Sequence, residues 1–146
     1  MKEIYFIVEG RVQPKQRPKV YRNKYTGKPH GVTPEKTRAY EEQVRTAYVE
    51  ACEGEKVFFE GAIKMIVNIY VEVPKSTRKL SREAMLLGFI RPTVKNGDVD
   101  NLFKAITDAL NGVAYDDDSQ IVDAQIRKFY GKQARAEITI REVEDE

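Results

Sequence analysis

Three aspartates and a lysine carry the chemistry that this sequence offers. Asp98 and Asp100 stand two residues apart where an amphipathic pattern begins, Lys104 follows four residues after Asp100, and Asp116, Asp117 and Asp118 come after the pattern ends. Carboxylates are hard oxygen donors, so a site built from them suits magnesium or manganese and excludes the usual nitrogen- and sulfur-liganded zinc. A cation held this way polarises a phosphate and activates water. An ammonium one helical turn from Asp100 lies on the same face and stabilises charge developing on the phosphate oxygens. Asn101 adds a neutral oxygen beside the pair. The EF-hand spacing of acids, with its glycine and distal glutamate, is absent, which argues against calcium.

Helix starts attract aspartate for a plainer reason. Free backbone N–H groups and the positive end of the dipole gather there, and a capping Asp stabilises a helix by about 0.5–2 kcal/mol with no further role. Company favours a site: Lys104 shares the face, and three consecutive aspartates repel one another until a cation compensates them. Distance permits the meeting without forcing it. A helix from Asp100 to about Asn111 rises roughly 17 Å, and the return from Gly112 to Asp118 spans roughly 20 Å when nearly extended. Asp118 either comes back along this nearly taut path or is supplied by a symmetric partner.

The elements that position these groups come from 146 residues, enough for one domain, 1–146, around one core. Glu3 to Val8 reads as a first strand, and Thr33-Pro34 as a helix N-cap with proline at the first helical position. From there to about Cys52, Tyr40, Val44, Ala47, Tyr48 and Ala51 recur at helical spacing. Ala62 to Val73 alternates like a strand, with a short helix placed around Ser81 to Leu87. Asp98 to Gly112 is the clearest amphipathic helix, burying Leu102, Phe103, Ile106 and Leu110 and stopping at Gly112. Two strands close the chain, about Gln120 to Tyr130 and Ala134 to Glu142, joined at Gly131-Lys132. The order predicts an α+β fold, a mixed four-stranded sheet with helices packed on it. A disordered tail is expected over 142–146.

Net charge is only +2, but its distribution is uneven. Arg11 to Lys28 holds seven basic residues and no acid, and Lys75 to Lys95 holds six against the single acid Glu83. Two such tracts in a near-neutral chain point to local polyanion-binding surfaces. In the first tract, a basic loop over 11–31 read as open until a ligand orders it, lysines and arginines interleave with Tyr21 and Tyr25. This composition neutralises phosphates and stacks on opened bases. The DNA-binding candidates are Lys15, Arg17, Lys19, Arg22, Lys24, Lys28, Arg78, Lys79, Arg91 and Lys95. Cys52, the lone cysteine, forms no intrachain disulfide and reads as core. His30, the lone histidine, has no suitable catalytic partner. No long apolar run suggests a membrane span, and the opening MKEIYFIVEG lacks a signal-peptide cleavage pattern, so the expected address is the cytoplasm.

At this point the residues resemble a known family. Gly97-Asp98-Val99-Asp100-Asn101-Leu102-Phe103-Lys104-Ala105, then Asp108-Ala109-Leu110-Asn111-Gly112, then Asp117-Asp118-Ser119-Gln120-Ile121-Val122 is similar to the signature of the RusA family of Holliday junction resolvases, found in bacteria, phages and prophages. Lys15-Gln16-Arg17-Pro18-Lys19 and Thr33 to Glu41 resemble the basic loop and first helix of phage-type members more loosely. The resemblance implies a homodimeric, magnesium-dependent endonuclease (manganese substituting) that makes paired, symmetric cuts across four-way junctions or other branched DNA in recombination and repair. By motif position, Asp98, Asp100 and Asp118 would bind the metal and Lys104 would be the catalytic lysine. Asp117, next to the matching position, is the second candidate for the third carboxylate. A basic residue or proline often precedes the first aspartate; Gly97 stands here instead, and Lys95 is the substitute contact. The competing functions are a catalytically idle, structure-selective DNA-binding protein and an enzyme of small phosphate esters. The latter leaves both basic tracts without a role.

Overall fold

Strict alternation makes the central strand: Ile63, Met65, Val67 and Ile69 turn to one face of an extended run and are fully buried there. The computed structural model describes residues 2–15, 19–22, 24, 25, 27, 29–32, 34–93 and 97–143, with backbone alone for 19–22 and 29–32. In chain order the elements are β1 (Glu3–Glu9), β2 (Lys19–Arg22), β3 (Pro29–Val32), α1 (Glu35–Ala51), β4 (Ile63–Glu72), α2 (Lys79–Leu86), α3 (Val99–Leu110), a short 3-10 helix (Asp118–Gln120), β5 (Ile121–Gly131) and β6 (Arg135–Glu142). The expected α+β class is observed, as a mixed four-stranded sheet with three helices.

The sheet order is β1-β6-β4-β5. β4 pairs with β5 in parallel and with β6 antiparallel, and β1 pairs antiparallel with β6, so β6 alone runs against the other three. The parallel β4–β5 pair needs a long crossover, which the segment carrying α2 and α3 supplies. The last two strands are joined through Gly131 yet are not neighbours: β4 lies between them, and the Val73 amide donates to the Gly131 carbonyl (3.1 Å).

The core lies on one face of this sheet. Phe6 and Val8 from β1, the alternate residues of β4, and Ala136, Ile138 and Ile140 from β6 meet Tyr40, Val44 and Tyr48 of α1. α3 adds Leu102, Ala105, Ile106, Ala109 and Leu110, all at most 1% exposed. Phe103 is only partly buried, and Cys52 is core, as read.

Three expectations change. The basic stretch 11–31, read as an open loop, contains a two-stranded antiparallel ribbon, Lys19↔Val32 to Arg22↔Pro29. Val20 and Tyr21 favour extended backbone, and cross-strand pairing satisfies the peptide groups without a separate core. The first long helix starts at Glu35 with Pro34 in the capping position, one residue later than read, and Thr33 lies outside the described residues. Glu142, read both as the end of the last strand and as the start of a loose tail, ends β6: its amide donates to Lys2 and that of Val143 to Ala62. The remaining tail, 144–146, lies outside the described residues.

Because Leu102 is fully buried where α3 meets the core, Leu102→Ala is expected to cost about 2–5 kcal/mol of unfolding free energy. Chemical denaturation should show a lower midpoint with an unchanged slope.

Candidate active site

α3 is amphipathic, and burying its apolar stripe determines what its other face presents. Asp100, Lys104 and Asp108 follow one another at four-residue intervals and form one polar row along the helix. Asp98 takes the N-cap position with extended backbone, φ −77° and ψ 150°, but its carboxylate makes no capping hydrogen bond. The plain capping role that its position suggests is therefore not the one it plays. Asp98, Asp100 and Lys104 are all exposed.

Gly97, immediately before Asp98, has φ +93°, a conformation that L side chains rarely adopt. A Cβ there would also lie 3.1 Å from Cβ of Pro14. Glycine at this point lets the segment leaving β1 run close beside the start of α3, where the Lys15 amide donates to the Asn101 carbonyl (3.0 Å). From the sheet side, Lys128 Nζ donates to the Gly97 carbonyl (3.1 Å). Arg91 stacks over the Phe129 ring at 4.0 Å, and its Nε donates to the Lys128 carbonyl (2.6 Å). The approach to Asp98 is thus tied to β5 at two points.

The return after α3 is compact instead of extended. Val113 and Ala114 amides donate back to the Leu110 carbonyl, and the Gly112 amide donates to the Tyr115 carbonyl (2.7 Å). Tyr115 then lies buried beneath the helix, its hydroxyl donating to the Thr107 carbonyl (2.6 Å). Its phenol is held well above the ordinary range, by burial first and then by the charges of Asp118, Asp108 and Asp117. This anchoring returns the chain to α3 at the level of Asp108.

Asp117 and Asp118 divide their labour. Asp117 caps the 3-10 helix: its carboxylate accepts from the Ser119 amide (3.0 Å), and the Gln120 side chain reaches back to the Asp117 amide. The hydrogen bond from Ser119 pulls its carboxyl below the ordinary range. Asp118 is left uncommitted to capping and lies beside Asp108, close enough for hydrogen bonding between the two carboxyls. Its carboxyl is held above the ordinary range, by burial first, then by that hydrogen bonding and by the charges of Asp117 and Asp108, while Lys104 opposes the shift.

The structure therefore brings Asp118 together with Asp108 and Lys104. It does not collect Asp98, Asp100 and Asp118 into one ligand set, and among the described residues no three acidic, histidine or cysteine groups are placed to hold a metal ion. Asp108 is the residue that sequence reasoning left without a role. Its signal was the i, i+4, i+8 spacing with Asp100 and Lys104. The donor chemistry fits magnesium: a cation of this kind is commonly held by one or two carboxylates, with phosphate oxygens and water completing its shell. Asp108 and Asp118 are such a pair, with Lys15 3.3 Å from Asp108 and the charge of Lys104 acting on Asp118.

Among the basic candidates, Lys24, Arg78, Lys79 and Arg91 are exposed, Arg91 with its stacked guanidinium. Lys15 is instead paired with Glu41 (2.6 Å) and Asp108 (3.3 Å). Lys19 and Arg22 lie in β2, while Arg17, Lys28 and Lys95 fall outside the described residues. Among the described residues no helix is long and apolar enough to cross a membrane.

The family model described as Endodeoxyribonuclease RusA matches residues 9–141. The chain belongs to the RusA endodeoxyribonuclease family. It is also similar to the uncharacterized protein YqaN of Bacillus subtilis (strain 168), 38% identical over 143 residues that cover 96% of each chain. The matched span takes in the polar row of α3, the Asp117–Asp118 turn and the basic ribbon, so RusA membership rests on nearly the whole domain and implies a nuclease of DNA.

The raised Asp118 carboxyl has a consequence for stability. The folded chain binds this proton more tightly than the unfolded chain, so the associated stability is full below the ordinary carboxylate range and is lost as pH rises through the elevated folded value. Asp118→Asn removes that loss. In the absence of divalent ions it is expected to raise the thermal midpoint near neutral pH, with the gain vanishing at about pH 3, where the carboxyl is protonated in both states. A fall in midpoint at neutral pH would contradict this account.

Proposed function

We propose that this chain is a metal-dependent endonuclease that resolves four-way junctions and related branched DNA by paired, symmetric cleavage as a homodimer in the cytoplasm. The observation that carries the reading is the polar row of α3, Asp100-Lys104-Asp108, met by Asp118, in a chain of the RusA endodeoxyribonuclease family. Magnesium, or manganese in its place, would be held by carboxylates among Asp98, Asp100, Asp108 and Asp118, and it supplies Lewis-acid polarisation of the scissile phosphate and a more acidic water.

The chain's own groups do the rest. Lys104, exposed and one turn from both Asp100 and Asp108, places its ammonium where charge builds on the phosphate oxygens. Asp118 and Asp108 lie close enough that Asp108 raises the Asp118 carboxyl, and so can hold a proton between them near the scissile bond. Gly97 lets Asp98 sit against the segment that leads into the basic ribbon. Exposed Lys24, Arg78, Lys79 and Arg91 offer phosphate contacts, as do Arg17, Lys19, Arg22, Lys28 and Lys95 by composition. Such contacts give affinity without sequence information, and two copies holding the surfaces apart would select branched shape. Exposed Leu80, Leu87 and Phe89, 81%, 72% and 82% accessible, are apolar surface that a second copy could cover.

A second reading, a catalytically idle protein that binds branched DNA by structure, is favoured by the absence of a three-ligand cluster among the described residues. Cleavage separates the two. With a synthetic four-way junction and magnesium, the wild type should make paired, symmetric nicks. Asp98→Asn, Asp100→Asn, Asp118→Asn and Lys104→Ala should each slow cleavage by about 100-fold or more while still binding the junction. Equal cutting by Asp98→Asn would sink the metal assignment, and binding without nicking by the wild type under varied metal and salt would leave the idle protein. Light scattering should give a particle of about twice the 16.8 kDa chain mass; a monomer at cleavage-active concentrations would remove the dimer.

A further inference from the structure

We propose that Lys15 is a positioning residue for the acidic pair and not a phosphate contact, so that the basic segment is tied to the catalytic helix through it. The inference rests on the nuclease reading and concerns how its site is held.

Lys15 lies where the chain leaves β1 and crosses the start of α3. Buried Val12 and the hydrogen bond from the Lys15 amide to Asn101 fix its backbone on either side of Pro14. Its side chain then runs inward to a place only 20% exposed, with Nζ 2.6 Å from Oε1 of Glu41 and 3.3 Å from Oδ2 of Asp108. One ammonium thus answers two carboxylates that are themselves 14% and 21% exposed. A phosphate contact would require Lys15 to leave them, stranding two poorly solvated charges, and half-broken pairs of this kind are costly. Lys24, exposed in the same tract, carries no such penalty.

What the lysine holds is as informative as what holds the lysine. Asp108 faces Lys15 on one side and lies beside Asp118, whose carboxyl it holds up, on the other. Glu41, anchored in α1, sets the position of the ammonium; the ammonium sets the rotamer of Asp108; Asp108 sets where Asp118 rests against α3. Three segments distant in sequence, 11–15, α1 and α3, therefore converge on a single charge. Arg45 steadies the chain of contacts from outside, 3.9 Å from the second oxygen of Glu41. An acidic pair displaced by about 1 Å loses roughly two orders of magnitude in rate when its geometry is catalytic, so a group that only fixes geometry shows in turnover and not in binding.

Two variants test this against phosphate contact. Lys15→Met removes the ammonium, and the nearly isosteric Glu41→Gln removes its anchor while keeping every cation. Junction affinity is measured in EDTA across a salt series, and single-turnover cleavage is measured with magnesium at saturating junction. Positioning predicts that both variants keep wild-type affinity and salt slope, while Lys15→Met cuts about tenfold or more slowly and Glu41→Gln about threefold or more slowly. Phosphate contact predicts that Lys15→Met binds more weakly with a salt slope lower by about one, and that Glu41→Gln binds as tightly or tighter and cuts normally. Either half of that second pattern overturns the proposal. Should Lys15→Met fold poorly, Glu41→Gln decides alone. A wild type that cuts no branched DNA removes the nuclease reading itself, a pattern distinct from a cutting wild type with a weakly bound Lys15→Met.

Discussion

The burial of one stripe of α3 governs the rest of this molecule. Leu102, Ala105, Ile106, Ala109 and Leu110 are all but inaccessible, and a helix with five such residues has a single rotation about its axis that suits the core. That rotation points Asp100, Lys104 and Asp108 along the opposite side as one row. The hydrophobic effect supplies the energy, and the 3.6-residue period converts it into the orientation of charged groups that contribute nothing to the burial themselves. Site and core are two faces of one helix.

Around this helix the connections are short and specifically anchored. Gly97 adopts a positive φ that brings Pro14 alongside, and Lys128 and Arg91 fasten the same approach to β5. At the other end, the buried Tyr115 hydroxyl finds its acceptor on Thr107 and draws the following loop under α3. The loop's two aspartates then separate by function. Asp117 spends its carboxylate on backbone N–H groups and becomes more acidic, whereas Asp118 meets Asp108 and becomes less so. Adjacent residues of one type thus acquire opposite character from their partners alone.

Much of this was legible in the order of residues. Alternation identified β4 and the periodic runs identified α1 and α3, because burial imposes periods of two and 3.6 whatever the wider fold. The basic ribbon was not legible, since Lys19 to Val32 shows no apolar alternation that would announce a strand, and only the backbone pairing reveals it. Nor was the placing of β4 between β5 and β6, which depends on pairing partners and not on any strand's own pattern. Asp108 was visible only as a member of a motif, although its spacing from Lys104 already put both on one face.

By itself, the sequence determined β1, β4, the helices and the two closing strands, the shared face of Asp100 and Lys104 on the main amphipathic helix, and the resemblance to a family of endodeoxyribonucleases. Those follow from local periodicity and local residue order, which need no knowledge of what packs where. Tertiary structure decided which carboxylates meet. Asp118 pairs with Asp108 because a buried tyrosine shortens the return loop, and Lys15 faces inward because Glu41 of α1 and Asp108 of α3 converge on it. Charges separated by tens of residues interact only once the chain has closed, so their partners, and the shifts those partners cause, belong to the fold.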